Sequence, residues 1–219
     1  PTGLIVDGEI KDPLKVKIYL KTLLQNAVRG RVKIRGVICS LPENKTFLKE
    51  IIVPNAINGA SMAMIKEELE KQIPLPIDEL YIDWRGMETM KSGAEKKILV
   101  SAAPKTLIDS YTALIESAGL IPLVLESESI ALARATIDET DNYSPEMTVV
   151  IVDIGAERTD IVFWQNGSIR LSMTSPISGQ TLTAAIAAKE KISLAEAEKI
   201  KFDCGLDAEK CGDRIRPIV

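Results

Sequence analysis

Residues 149–161 read VVIVDIGAERTDI, and this segment is the most informative one for the fold. In it an apolar run ends at Asp153, a short turn follows at Gly155, and a second apolar run comes after the turn. Asn166 and Gly167 then form a dipeptide that is typical of a tight turn between antiparallel strands. The pattern predicts three strands, over 148–153, 160–164 and 169–173.

The turn after Asp153 carries the residue types of a phosphate-binding hairpin. Gly155 lets the backbone approach an anion closely, and the amides of such a turn point toward the anion. Thr159 adds a hydroxyl donor, and Asp153 is placed to hold a magnesium ion through water. A purely structural hairpin explains the turn equally well when it is considered alone, because buried strands also need glycine turns.

Outside this segment, helices and strands alternate along the chain, which indicates an α/β or α+β class. The last helix opens with Ser193 and Glu196 at the spacing of a capping box, in which each side chain accepts the other's free amide. Residues 140–146 are polar and are predicted as a linker. The helices are predicted over 13–28, 62–73, 104–118, 129–137, 179–189 and 194–201, and the other strands over 32–41, 47–53, 80–84, 97–103 and 121–125.

The composition excludes several classes of function. The 27 basic and 31 acidic residues give a net charge of −4, which argues against a nucleic-acid binder. The chain has no histidine, so a Ser-His-Asp triad and a histidine-based zinc site are excluded. The cysteines Cys39, Cys204 and Cys211 are interpreted as three reduced thiols, with a Cys204–Cys211 pair as the alternative. No run of about 18 apolar residues occurs, so no transmembrane helix is predicted.

The run DIGAERTDI, at residues 153–161, resembles the second phosphate-binding motif of the actin-like ATPases, the superfamily that includes actin, sugar kinases and FtsA. Three other features stand in the order that this superfamily has. They are Glu128 before an Ala-rich helix, the turn at 178–183 that opens a helix, and the Ala-Glu-x-x-Lys run at 197–201.

Within this superfamily the chain resembles the PilM family of type IV pilus assembly proteins. The resemblance covers nearly the whole chain and rests on several short runs. These are Leu41-Pro42, IPLPIDEL at 73–80, Asp83-Trp84, AAPK at 102–105, AGL at 118–120 and ALARA at 131–135.

The resemblance implies an α/β fold of actin-like (ribonuclease H-like) lobes, incomplete, with an inserted FtsA/PilM-type subdomain. Residues 1–45 and 120–145 would form part of the first lobe, 46–119 the inserted subdomain, and 146–219 the start of the second lobe. The first phosphate hairpin and the adenine turn of the superfamily have no candidate in the sequence. The chain is therefore expected to be a fragment cut at both ends, with a complete but degenerate homologue as the alternative.

The resemblance also implies a site for ATP or ADP with Mg²⁺. Asp153 would hold the metal through water, and Gly155, Ala156, Arg158 and Thr159 would surround the phosphates. Gly179 and Gln180 would lie at a helix N-terminus that favours an anion. Glu198 and Lys201 would contact the ribose and base, and Glu128 would lie near the attacking water. Each has a simpler interpretation. Glu198 and Lys201 also suit a solvated helix face, Glu128 a helix-terminal charge, and Glu157 with Arg158 a turn facing water.

The implied function is that of an ATP-binding cytoplasmic assembly protein, at most a slow ATPase, peripheral to the inner membrane through its partners. It would bind the N-terminal cytoplasmic tail of a PilN-like inner-membrane protein, and self-association is possible within this scheme. The alternatives are a nucleotide-independent scaffold and an FtsA-like cell-division or type II secretion relative.

Overall fold

The computed structural model describes residues 3–27, 35–54, 62–89, 95–137, 147–205, 207, 209 and 210. Contacts between residues divide the chain into two units. The first unit comprises residues 1–149 and 163–172, and the second comprises 150–162 and 173–219.

The first unit opens with a small hairpin and a helix. Strands β1 (Ile5–Val6) and β2 (Glu9–Ile10) pair antiparallel. Helix α1 (Pro13–Gln25) follows, and the Asp12 carboxylate accepts the Lys15 amide at 3.0 Å. The helix starts at residue 13, as predicted. Asp12 is the N-cap, and Pro13 lacks an amide at the first helical position, where the amide would have no acceptor within the helix.

A parallel pair of strands forms the next layer. Strand β3 (Gly36–Leu41) pairs in parallel with β7 (Ile121–Ser127). Helix α3 (Lys105–Ser117) precedes β7 and helix α4 (Glu128–Thr136) follows it directly. Parallel pairing places Leu41 and Ser127 opposite each other, so the segment after β3 meets the start of α4.

Between β3 and α3 lies a three-stranded antiparallel sheet with its own core. Strands β4 (Phe47–Pro54), β5 (Leu80–Thr89) and β6 (Glu95–Pro104) are hydrogen-bonded in the order β4–β6–β5. Helix α2 (Met62–Glu70) packs against this sheet, and we call these four elements the β4–β6 subdomain. The core residues include Ile51, Val53, Ile65, Leu69, Ile73 and Ile98.

The segment at 149–161 and the residues after it form the three predicted strands. Strands β8 (Thr148–Ile154), β9 (Thr159–Gln165) and β10 (Ser168–Ser175) are hydrogen-bonded in the order β10–β9–β8. Asn166 and Gly167 have φ values of 51° and 72°, as a two-residue hairpin turn requires. Helices α5 (Gly179–Glu190) and α6 (Leu194–Cys204) end the described elements and bury Ile186 against Ala197.

The predicted helices and strands are confirmed, with differences at their ends. Helix α2 stops at Glu70, but Ile73 remains buried because its amide bonds to the Leu69 carbonyl in a terminal turn. Strand β5 continues to Thr89, beyond the expected end at Trp84, because β6 supplies a pairing partner along that length. The predicted linker at 140–146 lies outside the described residues.

The interpretation of the cysteines as three reduced thiols is wrong for Cys204, which is disulfide-bonded. Cys39 is a free, half-buried thiol, and burial raises its pKa. Cys211 lies outside the described residues. No helix among the described residues is long and apolar enough to cross a membrane.

Candidate functional site

The loop between β8 and β9 is held closed by its own backbone. The Gly155 amide donates to the Arg158 carbonyl at 2.9 Å. A Cβ at residue 155 would lie 2.9 Å from that same oxygen, closer than side chains approach backbone atoms. Asp153, at the end of β8, is exposed. The loop therefore needs glycine at 155, and it leaves the Asp153 carboxylate accessible.

The N-terminus of α5 packs directly on this loop. The Gly179 amide donates to the Gly155 carbonyl, and the Gln180 amide to the Ala156 carbonyl, both at 2.9 Å. The next amide, of Thr181, donates to the Ser178 hydroxyl at 3.2 Å. The first three amides of α5 thus already have acceptors within the protein. Gly179 and Gln180, expected to favour an anion at the helix N-terminus, use their amides to hold the loop.

The Thr159 hydroxyl, which was expected to donate to the phosphates, is bonded within the protein instead. The Thr159 side chain is buried and its hydroxyl donates to the Ile177 carbonyl at 2.7 Å. The amides of Ala156 and Glu157 are different, because over the described residues 147–205 neither has a protein acceptor. The Arg158 guanidinium lies 3.9 Å from the Glu157 carboxylate. The donors that the loop offers to a ligand are thus backbone amides at its tip.

Glu198 and Lys201 meet at the first turn of α5. The Lys201 ammonium donates to the Gly179 carbonyl at 3.0 Å and to the Thr183 hydroxyl at 2.9 Å, and it lies 2.7 Å from the Glu198 carboxylate. Hydrogen bonds from Lys201 and Thr183 hold the pKa of Glu198 below its usual value. Within the second unit, the structure therefore brings together the loop, the start of α5 and the two residues that were expected at the ribose and base.

Glu128 opens α4 in the first unit and takes part in a reciprocal pair of contacts. Its carboxylate accepts the Glu43 amide at 3.1 Å, and the buried Glu43 carboxylate accepts the Ser129 amide at 3.1 Å. Each carboxylate thus satisfies an amide at the start of the other's helical turn. These contacts agree with the simpler interpretation of Glu128, and its place beside an attacking water stays a prediction.

The first unit also contains a groove of about 910 Å³ that no pattern in the sequence indicated. One wall belongs to the β4–β6 subdomain, a second to α4, and a third to the hairpin of β9 and β10. The Arg134 guanidinium lines the groove and forms a bidentate ion pair with the buried Glu126 carboxylate. Among the residues that line the groove are Leu48, Trp84, Leu99, Trp164, Ser168 and Ile169.

No group of three or more Asp, Glu, Cys or His side chains positioned to hold a metal ion occurs among the described residues. A metal at Asp153 would therefore take most of its ligands from water and phosphate, which is how Mg²⁺ is commonly bound.

The strand-loop-strand hairpin, the helix N-terminus that packs on it and the antiparallel β4–β6 subdomain belong to a mixed α/β structure of the actin-like fold class. EutJ, the ethanolamine utilization protein from Carboxydothermus hydrogenoformans, shares this fold with a TM-score of 0.54 and 18% identity over 98% of this chain and 55% of its own. The model of the type IV pilus assembly protein PilM family matches residues 1–217, and the chain belongs to that family.

Two further relatives agree with this assignment. A chain of the PilM-PilN type IV pilus biogenesis complex matches with a TM-score of 0.78 and 26% identity, over 100% of this chain and 63% of that one. The cell division protein FtsA of Neisseria meningitidis is 27% identical over 133 residues, which are 59% of this chain and 31% of that protein. The chain thus spans less than two thirds of the length of either relative.

Proposed function

We propose that this chain supplies the loop and groove of an ATP-binding assembly protein at the cytoplasmic face of the inner membrane, in the machinery that builds type IV pili. The nucleotide phosphates lie on the loop at 155–158, with Asp153 holding Mg²⁺ through water. The N-terminal cytoplasmic tail of a PilN-like membrane protein occupies the groove.

The nucleotide proposal rests on two backbone amides at the tip of the loop. The Ala156 and Glu157 amides have no acceptor in the described part of the second unit, while the neighbouring amides at Gly155 and at the start of α5 are all used to fix the loop. Amides on a preformed, glycine-containing turn suit phosphate oxygens. Bound Mg²⁺ would neutralise charge on those oxygens.

Lys201 and Glu198 extend the proposed site along α6. Lys201 donates to the Gly179 carbonyl and pairs with Glu198, and the Gly179 amide donates to the Gly155 carbonyl of the loop. A carboxylate suits ribose hydroxyls as an acceptor, and an ammonium suits base or ribose oxygens as a donor. Any hydrolysis by the full-length protein is expected to be slow.

The test is nucleotide binding by the full-length protein, measured by titration calorimetry with ATP and Mg²⁺. Asp153→Ala is expected to weaken binding by about tenfold or more, the loss for one charge-assisted contact, and to reduce its dependence on Mg²⁺. Asp203→Ala, which removes a carboxylate of α6 outside the proposed site, is the matched control. Equal affinity in the wild type and Asp153→Ala would sink the proposal.

The partner proposal rests on the chemistry of the groove. About 910 Å³ lies within the range of natural ligand pockets and accommodates a few residues of a peptide. Its walls carry Trp84 and Trp164, and tryptophan is the side chain that most often dominates the energy of binding. A short segment with apolar side chains and a free backbone therefore suits it.

A synthetic copy of the partner's tail tests this in the full-length protein by fluorescence anisotropy. Trp84→Ala and Trp164→Ala are each expected to weaken tail binding by about thirtyfold, a loss of about 2 kcal/mol. Phe202→Ala, at an exposed aromatic of α6, should leave it unchanged. Unaltered tail affinity in both tryptophan variants would show that the tail does not bind in the groove. No binding of the tail even to the wild type would favour an FtsA-like or type II secretion relative with another partner.

A nucleotide-independent scaffold is the second candidate. It is favoured by the Thr159 hydroxyl and the α5 amides, which are engaged inside the protein. Tail binding without any measurable affinity for ATP or ADP would identify this alternative.

A further inference from the structure

An ion pair that the proposed function does not use attaches the β9–β10 hairpin to the β4–β6 subdomain. The Arg170 guanidinium, in β10, donates from Nη1 to Oε2 of Glu50, in β4, at 2.5 Å. The two residues are 120 positions apart in sequence, and their side chains are only 20% and 18% exposed. Charges this shielded from water attract each other more strongly than an exposed surface pair.

The same carboxylate has a second cation. Lys97, in the neighbouring strand β6, donates from Nζ to Oε1 of Glu50 at 2.5 Å. Glu50 therefore has one cation from its own sheet and one from the hairpin. Arg170 Nε is buried and has no acceptor in the described part of the chain, so placing an arginine here has a cost that Glu50 must offset.

The ion pair lies beside the groove on both of its strands. Glu50 follows Leu48, a groove residue, by two positions and pairs across the ladder with Leu99, another groove residue. Arg170 follows Ser168, also a groove residue, by two positions. Residues two apart on a strand face the same side, about 7 Å from one another. The contact thus joins the hairpin wall to the subdomain wall at the edge of the groove.

We propose that Arg170 is a positioning residue of the groove: through Glu50 it fixes the β9–β10 wall against the β4–β6 wall and sets the width of the groove before a tail arrives. This inference rests on the proposed function of the groove as a peptide site. A groove that is already held open at the right width loses less conformational entropy when the peptide binds.

The structure offers a matched pair of variants. Arg170→Gln and Lys97→Gln each remove one cation from the same carboxylate, but only the first detaches the hairpin. In full-length protein, Arg170→Gln is expected to weaken binding of the synthetic tail by about tenfold, and Lys97→Gln by no more than about twofold. Arg170→Lys, which keeps the charge, should recover part of the loss. Equal losses in the two glutamine variants, or none in either, would overturn the inference.

Hydrogen exchange without peptide separates this inference from the proposed function. Amides at 164–170 should exchange faster in Arg170→Gln than in Lys97→Gln, while those of α6 stay unchanged in both. If the tail does not bind even the wild type, the proposed function of the groove fails, and the exchange result still decides whether Arg170 fixes the wall. Unchanged exchange at 164–170 contradicts that role. If Arg170→Gln does not fold, Glu50→Gln, which releases both cations, is compared with Lys97→Gln, which releases only the cation of the subdomain itself.

Discussion

At the scale of single residues, Gly155 is the position where the geometry of the loop most clearly requires one residue type. Its missing side chain lets the loop close through the bond from its amide to the Arg158 carbonyl. Gly155→Ala is expected to lower the free energy of unfolding by about 1–3 kcal/mol, since the added methyl group overpacks against backbone. Urea titration checks this. Gly86→Ala is the control because its Cβ would meet no atom within 4 Å. An unchanged free energy of unfolding in Gly155→Ala would show that the loop tolerates a side chain.

Glu50 predicts a dependence on pH. Burial alone would raise the pKa of this carboxyl, but hydrogen bonds from Lys97 and Arg170 outweigh burial and hold the pKa below its usual value. A group with a lowered pKa in the folded state stabilises the protein above its unfolded value of about 4.3, and this contribution disappears as pH falls through the folded pKa.

The stability of the wild type should therefore fall more steeply than that of Glu50→Gln as pH is lowered from about 5 toward 3. Urea titrations at a series of pH values measure the two slopes. Glu70→Gln, at an exposed position of α2, should keep the slope of the wild type. Identical slopes in the wild type and Glu50→Gln would contradict the pairing of Glu50 with its two cations.

At the scale of elements, α5 and α6 begin with different capping boxes. Ser193 and Glu196 exchange backbone and side-chain bonds as the sequence predicted, whereas Ser178 pairs with Thr181 in place of the usual Glu or Gln. Ser193→Ala is expected to cost about 1 kcal/mol, seen as a lower midpoint of thermal unfolding. Ser110→Ala, inside α3, should not reduce the midpoint, because alanine is the better helix former there.

The core of the β4–β6 subdomain gives a larger effect. Ile65 of α2 is fully buried between the helix and the sheet. Ile65→Ala is expected to destabilise the protein by about 2–5 kcal/mol, because it removes buried methyl groups and leaves a cavity. Met62→Ala, where the side chain is 39% exposed, serves as the comparison and should cost much less. Equal losses in urea titrations would mean that α2 does not pack as described.

At the scale of the whole molecule, the 219-residue chain exposes large apolar side chains. Phe202 is 87% exposed, and Ile154, Ile177 and Leu194 are each more than 60% exposed. Apolar surface of this kind binds hydrophobic dyes and favours association. Phe202→Ser is expected to reduce the fluorescence of a bound hydrophobic dye. It is also expected to reduce self-association of this chain, measured by light scattering. Leu75→Ser, at a less exposed position, should change dye fluorescence and self-association less than Phe202→Ser does. A larger effect of Leu75→Ser would show that α6 is covered in solution.

Local patterns along the chain were enough to predict the helices, the strands and the loop that joins β8 to β9. Apolar periodicity, caps and turn dipeptides act over a few residues, so they predict local structure and the need for glycine at 155. The family resemblance then identified the fold, which the comparisons confirmed. The domain boundaries and the roles of the site residues stay predictions.

Which polar groups are already hydrogen-bonded, and which surfaces lie together, depends on tertiary contacts. Tertiary packing placed Glu43 against Glu128 across 85 residues and Glu50 against Arg170 across 120. It also committed the Thr159 hydroxyl to Ile177 and built a groove from strands and helices that are far apart in the chain. Long-range contacts of this kind leave no periodic trace in a sequence, because each depends on how separate elements pack and not on neighbours along the chain.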